Sequence, residues 1–138
     1  MKDILQVIAD YLPTSDLSAA EGELVTGYFL VLKATKSPSQ TYMKTRFYAL
    51  IVAMGFLHRV GGRLDTVTTM QALLALDAIR ESKATYSQNY RRVVMHIFKQ
   101  VLDGIDSLIL DKAKIQKIKQ KSISHGMILL YIWDTKPK

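Results

Sequence analysis

Thr85-Tyr86-Ser87-Gln88-Asn89-Tyr90-Arg91-Arg92-Val93-Val94-Met95-His96-Ile97-Phe98-Lys99-Gln100-Val101-Leu102 is the stretch from which the fold can be read. Tyr90, Val93, Val94, Ile97, Phe98 and Val101 recur at the three- and four-residue spacing that gathers them on one side of an α-helix. Gln88, Asn89, Arg91, Arg92, His96 and Lys99 fall on the other side. A one-sided apolar stripe must be buried against a neighbour, so the pattern predicts a helix packed into a helical core. Asp103-Gly104 is expected to close it.

Upstream the same periodicity repeats. Lys2 to Leu12 carries Ile4, Leu5, Val7, Ile8, Tyr11 and Leu12 and stops at Pro13. A second helix is expected to start after Asp16 or Ser18 and to reach about Thr35, with Leu24, Tyr28, Val31 and Leu32 at helical spacing. A third runs from about Ser39 to Val60, with Met43, Phe47, Leu50, Ile51, Met54 and Leu57 on one stripe and Gly61-Gly62 as its stop. A fourth begins near Thr66 or Thr68 and passes through Met70, Leu73, Leu74, Leu76 and Ile79 to Glu81. The fold class that these elements imply is all-α, a compact bundle of four to five helices over residues 1–107. A basic linker and an apolar C-terminal segment are expected over residues 108–138.

Two stretches open alike: Ser37-Pro38-Ser39-Gln40-Thr41-Tyr42 before the third helix, and Ser82-Lys83-Ala84-Thr85-Tyr86-Ser87-Gln88 before the fifth. Each places small hydroxylated residues and a Thr-Tyr pair just ahead of a basic and then an apolar position. Ser, Thr and Asn cap helix N-termini by accepting hydrogen bonds from unpaired amides, and those amides also attract anions. Thr41 and Thr85 are read as caps, each near a phosphate-facing end.

Composition narrows the function. The 138 residues, 49% hydrophobic, suffice for one domain with a real core. No cysteine occurs, which excludes disulfides and thiolate metal sites. His58, His96 and His125 stand in no metal-ligand spacing, and no cofactor is expected. The opening Met1-Lys2-Asp3-Ile4-Leu5 has an early acid and no long apolar core, so no signal peptide is expected. The longest apolar run is too short for a bilayer, and no membrane partner is expected.

The net charge of +7 is unevenly spread. Residues 1–23 set Lys2 against Asp3, Asp10, Asp16, Glu21 and Glu23, acids read as caps of the opening helices. From Leu24 to Leu64 there is no acid, while Lys33, Lys36, Lys44, Arg46, Arg59 and Arg63 are all basic. A second basic zone begins at Arg91 and includes Lys112, Lys114, Lys117, Lys119 and Lys121. Two basic zones opening near two capped helix starts point to a polyanion, most often nucleic acid. The lysine-rich segment would follow a phosphate backbone without reading sequence.

The order of these elements resembles the N-terminal core-binding domain of phage-type integrases, the tyrosine recombinases. The resemblance rests on Ser-Pro-Ser-Gln-Thr-Tyr, a long helix carrying Phe47 through Phe56-Leu57, and Ser-x-x-Thr-Tyr-x-x-x-Tyr-Arg-Arg-x-x-x-x-Ile-Phe-Lys, within about Leu17 to Gln120. It implies a SAM-like bundle that clamps one side of duplex DNA. By position it implies DNA contacts from Ser39, Thr41, Lys44 and Thr45, and from Tyr86, Gln88, Asn89, Arg91, Arg92, His96 and Lys99. The lysines from Lys112 to Lys121 would add a linker contact.

A complete recombinase adds a catalytic domain with an Arg, a Lys, a His-x-x-Arg group and a nucleophilic Tyr. Those groups have no counterpart here, and no phosphate loop or nucleophile elbow occurs. The chain is therefore expected to bind DNA without intrinsic catalysis, in the cytoplasm at the nucleoid. Two other readings stay open. One is a helical protein-interaction domain whose apolar Met127 to Trp133 segment serves as a partner or self-association contact. The other is a helix-turn-helix regulator, for which the Gly61-Gly62 to Thr66 connection is loosely suitable.

Overall fold

The structure, a computed structural model, describes residues 2–105. The expected Lys112 to Lys121 contacts and the Met127 to Trp133 segment lie outside the described residues. Every regular element among the described residues is helical: α1 (Ile4–Tyr11), a single 3-10 turn (Leu12–Thr14), α2 (Ala19–Lys36), α3 (Gln40–Arg59), α4 (Thr69–Glu81) and α5 over residues 88–105. The chain divides into two compact units, Met1–Leu102 and Asp103–Lys138. The helical core and the candidate site belong to the first.

The helix boundaries follow local chemistry. Asp3 caps α1 by accepting the Leu5 amide at 3.1 Å. Ser18 and Glu21 form a reciprocal capping box at α2, as Thr68 and Gln71 do at α4. Ser39 caps α3, with its Oγ accepting the Tyr42 amide at 3.1 Å. α3 ends in a Schellman arrangement: Gly62 N donates to Leu57 O and Gly61 N to His58 O, both at 3.0 Å, with Gly61 at φ +84°. At Gly62 a Cβ would stand 2.6 Å from Leu57 Cδ1, so the pair is needed both for the turn and for close packing.

α3 is the central element, with Met43, Phe47, Leu50, Met54 and Leu57 buried as its stripe predicts and Ile51, expected with them, half-buried. Phe47 takes the ring of Tyr11 from α1 edge-on at 5.6 Å and that of Phe29 from α2 at 6.0 Å. α4 packs on α3. α5 buries Val94, Ile97, Phe98 and Val101. The Arg46 guanidinium donates to Gln100, while the rings of Phe56 and Tyr86 meet at 6.4 Å. Residue 46 thus pairs with residue 100 and residue 56 with residue 86, so α3 and α5 run antiparallel.

Four sequence expectations are corrected. Thr85 does not cap α5: the Thr85 and Tyr86 amides both turn back to Ser82 O, and Ser87 is the cap, its Oγ accepting the Tyr90 amide at 3.1 Å. Thr41 lies inside α3, because Ser39 has already taken the capping position. Gly104 does not stop α5, which continues to residue 105, since a glycine ends a helix only where the chain turns left-handed. The buried faces of α2 and α4 are also rotated. Val25, Phe29, Ala75 and Ile79 are buried, whereas Val31, Met70, Leu73 and Leu74 are exposed, as is Val93 on α5. Each helix has more apolar residues than one face can hold, and the neighbours it packs against, α1 for α2 and α3 for α4, decide which are covered.

Candidate nucleic-acid interface

The antiparallel arrangement separates the two capped helix starts. Arg46 and Phe56 are ten residues apart on α3, about 15 Å along its axis. The start of α3 and the start of α5 therefore lie toward opposite ends of the bundle, and no single anion-facing surface unites them.

At the end where α3 begins, most polar groups are engaged in structure. The Gln40 side chain donates to Asp3 Oδ1 at 3.0 Å and accepts the Ile4 amide at 2.8 Å, tying α3 to α1. Lys33 Nζ completes the link by donating to Asp3 Oδ1 at 2.9 Å. That lysine, with the Leu5 amide and Gln40, outweighs desolvation and holds the Asp3 carboxyl below its ordinary range. Ser39 is occupied as a cap; Thr41 and Thr45 are exposed and Lys44 is half-buried.

At the opposite end lies the most buried carboxylate of the unit. Glu21 is 0% exposed. Its Oε1 accepts from Arg63 at 2.9 Å and from the Ser18 amide at 3.1 Å; its Oε2 accepts from the Leu64 amide at 2.9 Å and from His58 Nε2 at 2.8 Å. Burial pushes this carboxyl upward. The Leu64 amide, His58, the Ser18 amide and Arg63 together overcome that effect and bring it down to about 2. Glu21 is thus an ionised clasp joining α2, the last turn of α3 and the connection after it. The Ser18-x-x-Glu21 capping box is a local pattern, but His58 and Arg63 lie 37 and 42 residues away in sequence, so nothing local announces the clasp.

Arg91 belongs to this end as well. Its NH1 donates to Arg80 O at 2.6 Å and its Nε to Tyr86 O at 3.2 Å, which closes the α4–α5 connection onto itself. Tyr86 is half-buried between Phe56 and Tyr90, with ring centroids at 6.4 and 5.4 Å. Arg91 is thus held by backbone carbonyls rather than left free as its sequence position suggests, because the carbonyls at the end of α4 need donors.

The remaining candidates form one stripe. Gln88, Arg92, His96 and Lys99 sit at i, i+4, i+8 and i+11 on α5, and all four are exposed. The stripe is about 16 Å long, with Asn89 beside it. Arg92 and Lys99 make no ion pair with any described residue. Lys33, Arg46 and Arg63 from the acid-free zone, by contrast, are committed to Asp3, Gln100 and Glu21.

Among the described residues no helix is long and apolar enough to cross a membrane, and no three His, Asp or Glu gather as a metal site would require. No family model, curated protein or solved structure matches this chain.

Proposed function

We propose that this chain is a duplex-DNA-binding module of the integrase type, resembling the core-binding domain of tyrosine recombinases and acting without chemistry of its own. The observation that carries the reading is the exposed α5 stripe of Gln88, Arg92, His96 and Lys99, whose two cations have no protein partner among the described residues. Arg92 and Lys99 would neutralise phosphates, which fixes position on the duplex without reading sequence. Gln88 and Asn89 carry the paired donor and acceptor that suit an adenine edge in the major groove. Lys44, Thr41 and Thr45 would be a separate backbone contact from the far end of the bundle. Such a module works where duplex DNA is, at the nucleoid.

A mobility-shift titration with random duplex over roughly 50–200 mM salt tests this. Binding should weaken steeply with salt. Arg92→Ala combined with Lys99→Ala should lower affinity and reduce the salt slope by roughly two, about 0.9 for each phosphate left without its cation. Unchanged affinity and slope in that variant would sink the proposal.

A further inference from the structure

The end of the bundle where α3 begins holds a buried cation without a buried acid. Arg46 is 8% exposed. Its guanidinium donates to the amide oxygen of Gln100 and lies over the Tyr42 ring at 5.1 Å. Its charge also opposes the upward push that burial gives the nearby Tyr28 phenol. All three partners are neutral. Among the described residues no carboxylate stands within ion-pair distance of Arg46, and none occurs anywhere from Leu24 to Leu64. A guanidinium has five N–H donors, and a charge withdrawn from water is costly unless an opposite charge meets it.

Arg46 lines a cavity of about 230 Å³, together with Tyr28, Leu32, Lys36, Pro38, Tyr42 and Gln100. Lys36 is a second cation on its wall, and the tyrosines and Gln100 supply further polar groups around it. The volume is that of several water molecules at about 30 Å³ each. That suits a tetrahedral anion with a small substituent and is below the usual range for a drug-sized ligand.

We propose that this cavity is a phosphate-group site, in which Arg46 takes two oxygens of the anion through its planar fork and Lys36 neutralises the remaining charge. The phosphate belongs either to a DNA backbone or to a small phosphorylated molecule; the recognition chemistry is common to both. The inference does not require the α5 stripe to bind DNA, since the two features use different residues.

The test uses the full chain, at constant ionic strength held with sodium chloride. Inorganic phosphate and adenosine 5′-monophosphate are titrated by calorimetry, and ³¹P line width is followed in parallel. Saturable binding is expected. Arg46→Gln should weaken it roughly tenfold or more, as expected when a charge-assisted hydrogen bond is removed. Lys36→Ala, at an exposed position, should weaken it in the same direction without a folding penalty. Arg92→Ala/Lys99→Ala should leave it unchanged, which separates this site from the α5 reading. Weaker duplex binding in Lys36→Ala would assign the phosphate to a DNA backbone; unaltered duplex binding would assign it to a small ligand. Absence of saturable phosphate binding, or equal binding by wild type and Lys36→Ala, overturns the proposal.

Discussion

The two ends of the bundle handle buried charge in opposite ways. Where α3 finishes and α5 starts, a buried acid, Glu21, meets His58, Arg63 and two backbone amides. Where α3 starts, a buried base, Arg46, meets Gln100 and the tyrosines and no acid among the described residues. The first end is electrostatically complete and acts as a clasp. The second has a cation that meets neutral groups and no opposite charge among the described residues, and that imbalance marks it as a place for an anion. An even count of bases along the chain hides this difference, because Arg46 and Arg63 contribute equally to the net charge and play unlike roles.

The contrast can be broken first at the acidic end. Glu21→Gln should cost roughly 3–5 kcal/mol, the range for breaking a buried pair, measured by urea denaturation. A loss below about 1 kcal/mol would mean that the clasp is not closed by charge.

Acid titration sharpens the same point. Folding lowers the Glu21 carboxyl from 4.5 to about 2, so its contribution is fully present above the unfolded value. It is lost as pH falls from 4.5 toward 2. The loss should amount to about 3 kcal/mol by linkage, and Glu21→Gln should flatten that part of the profile. A profile that the substitution leaves unchanged would assign acid sensitivity to other carboxylates.

The capping serines come next. Ser39→Ala and Ser87→Ala should each cost about 1 kcal/mol, whereas Thr85→Ala should cost less, because its side chain makes no cap. Near-equal losses at Ser87 and Thr85 in thermal melts would contradict the observed start of α5.

Smaller still is the expected effect at the basic end in phosphate-free buffer. Arg46→Met should change stability by less than about 1 kcal/mol, since an apolar residue of similar length removes a charge that has no opposite. A loss as large as that of Glu21→Gln would erase the distinction between the ends.

The repeated Ser-Thr-Tyr motif shows how much was legible beforehand. Both helix starts were readable, because hydroxylated residues ahead of an apolar stripe favour a cap and a helix together. The register was not. In the structure Ser39-Gln40-Thr41-Tyr42 corresponds to Ser87-Gln88-Asn89-Tyr90, with the third residue of each helix donating to the serine. The two Thr-Tyr pairs therefore occupy different places, one in the first turn of α3 and one in the connection before α5. Any of several hydroxyls can cap, and the competition is decided by where the preceding helix exits. Here Ser82 O takes the Thr85 and Tyr86 amides and Ser87 is left for the cap.

The candidate site divided along similar lines. Arg92, His96 and Lys99 are exposed as the periodicity predicts, since a residue opposite a buried stripe must face water. Arg91 shares the expected outer face, but the carbonyl of Arg80 takes its guanidinium. Glu21 has a local signature only as the Ser18-x-x-Glu21 capping box; its links to His58 and Arg63 and the bond of Arg46 to Gln100 have none, since those partners lie 37 to 54 residues away.

Local residue order was sufficient to set the helical class and most of the helix ends among the described residues, because capping, proline and apolar spacing act within one or two turns. Tertiary structure decided which face of α2 and α4 is covered, which cations remain free, and that the two helix starts point to opposite ends. Burial and charge pairing depend on neighbours that the chain brings together only by folding.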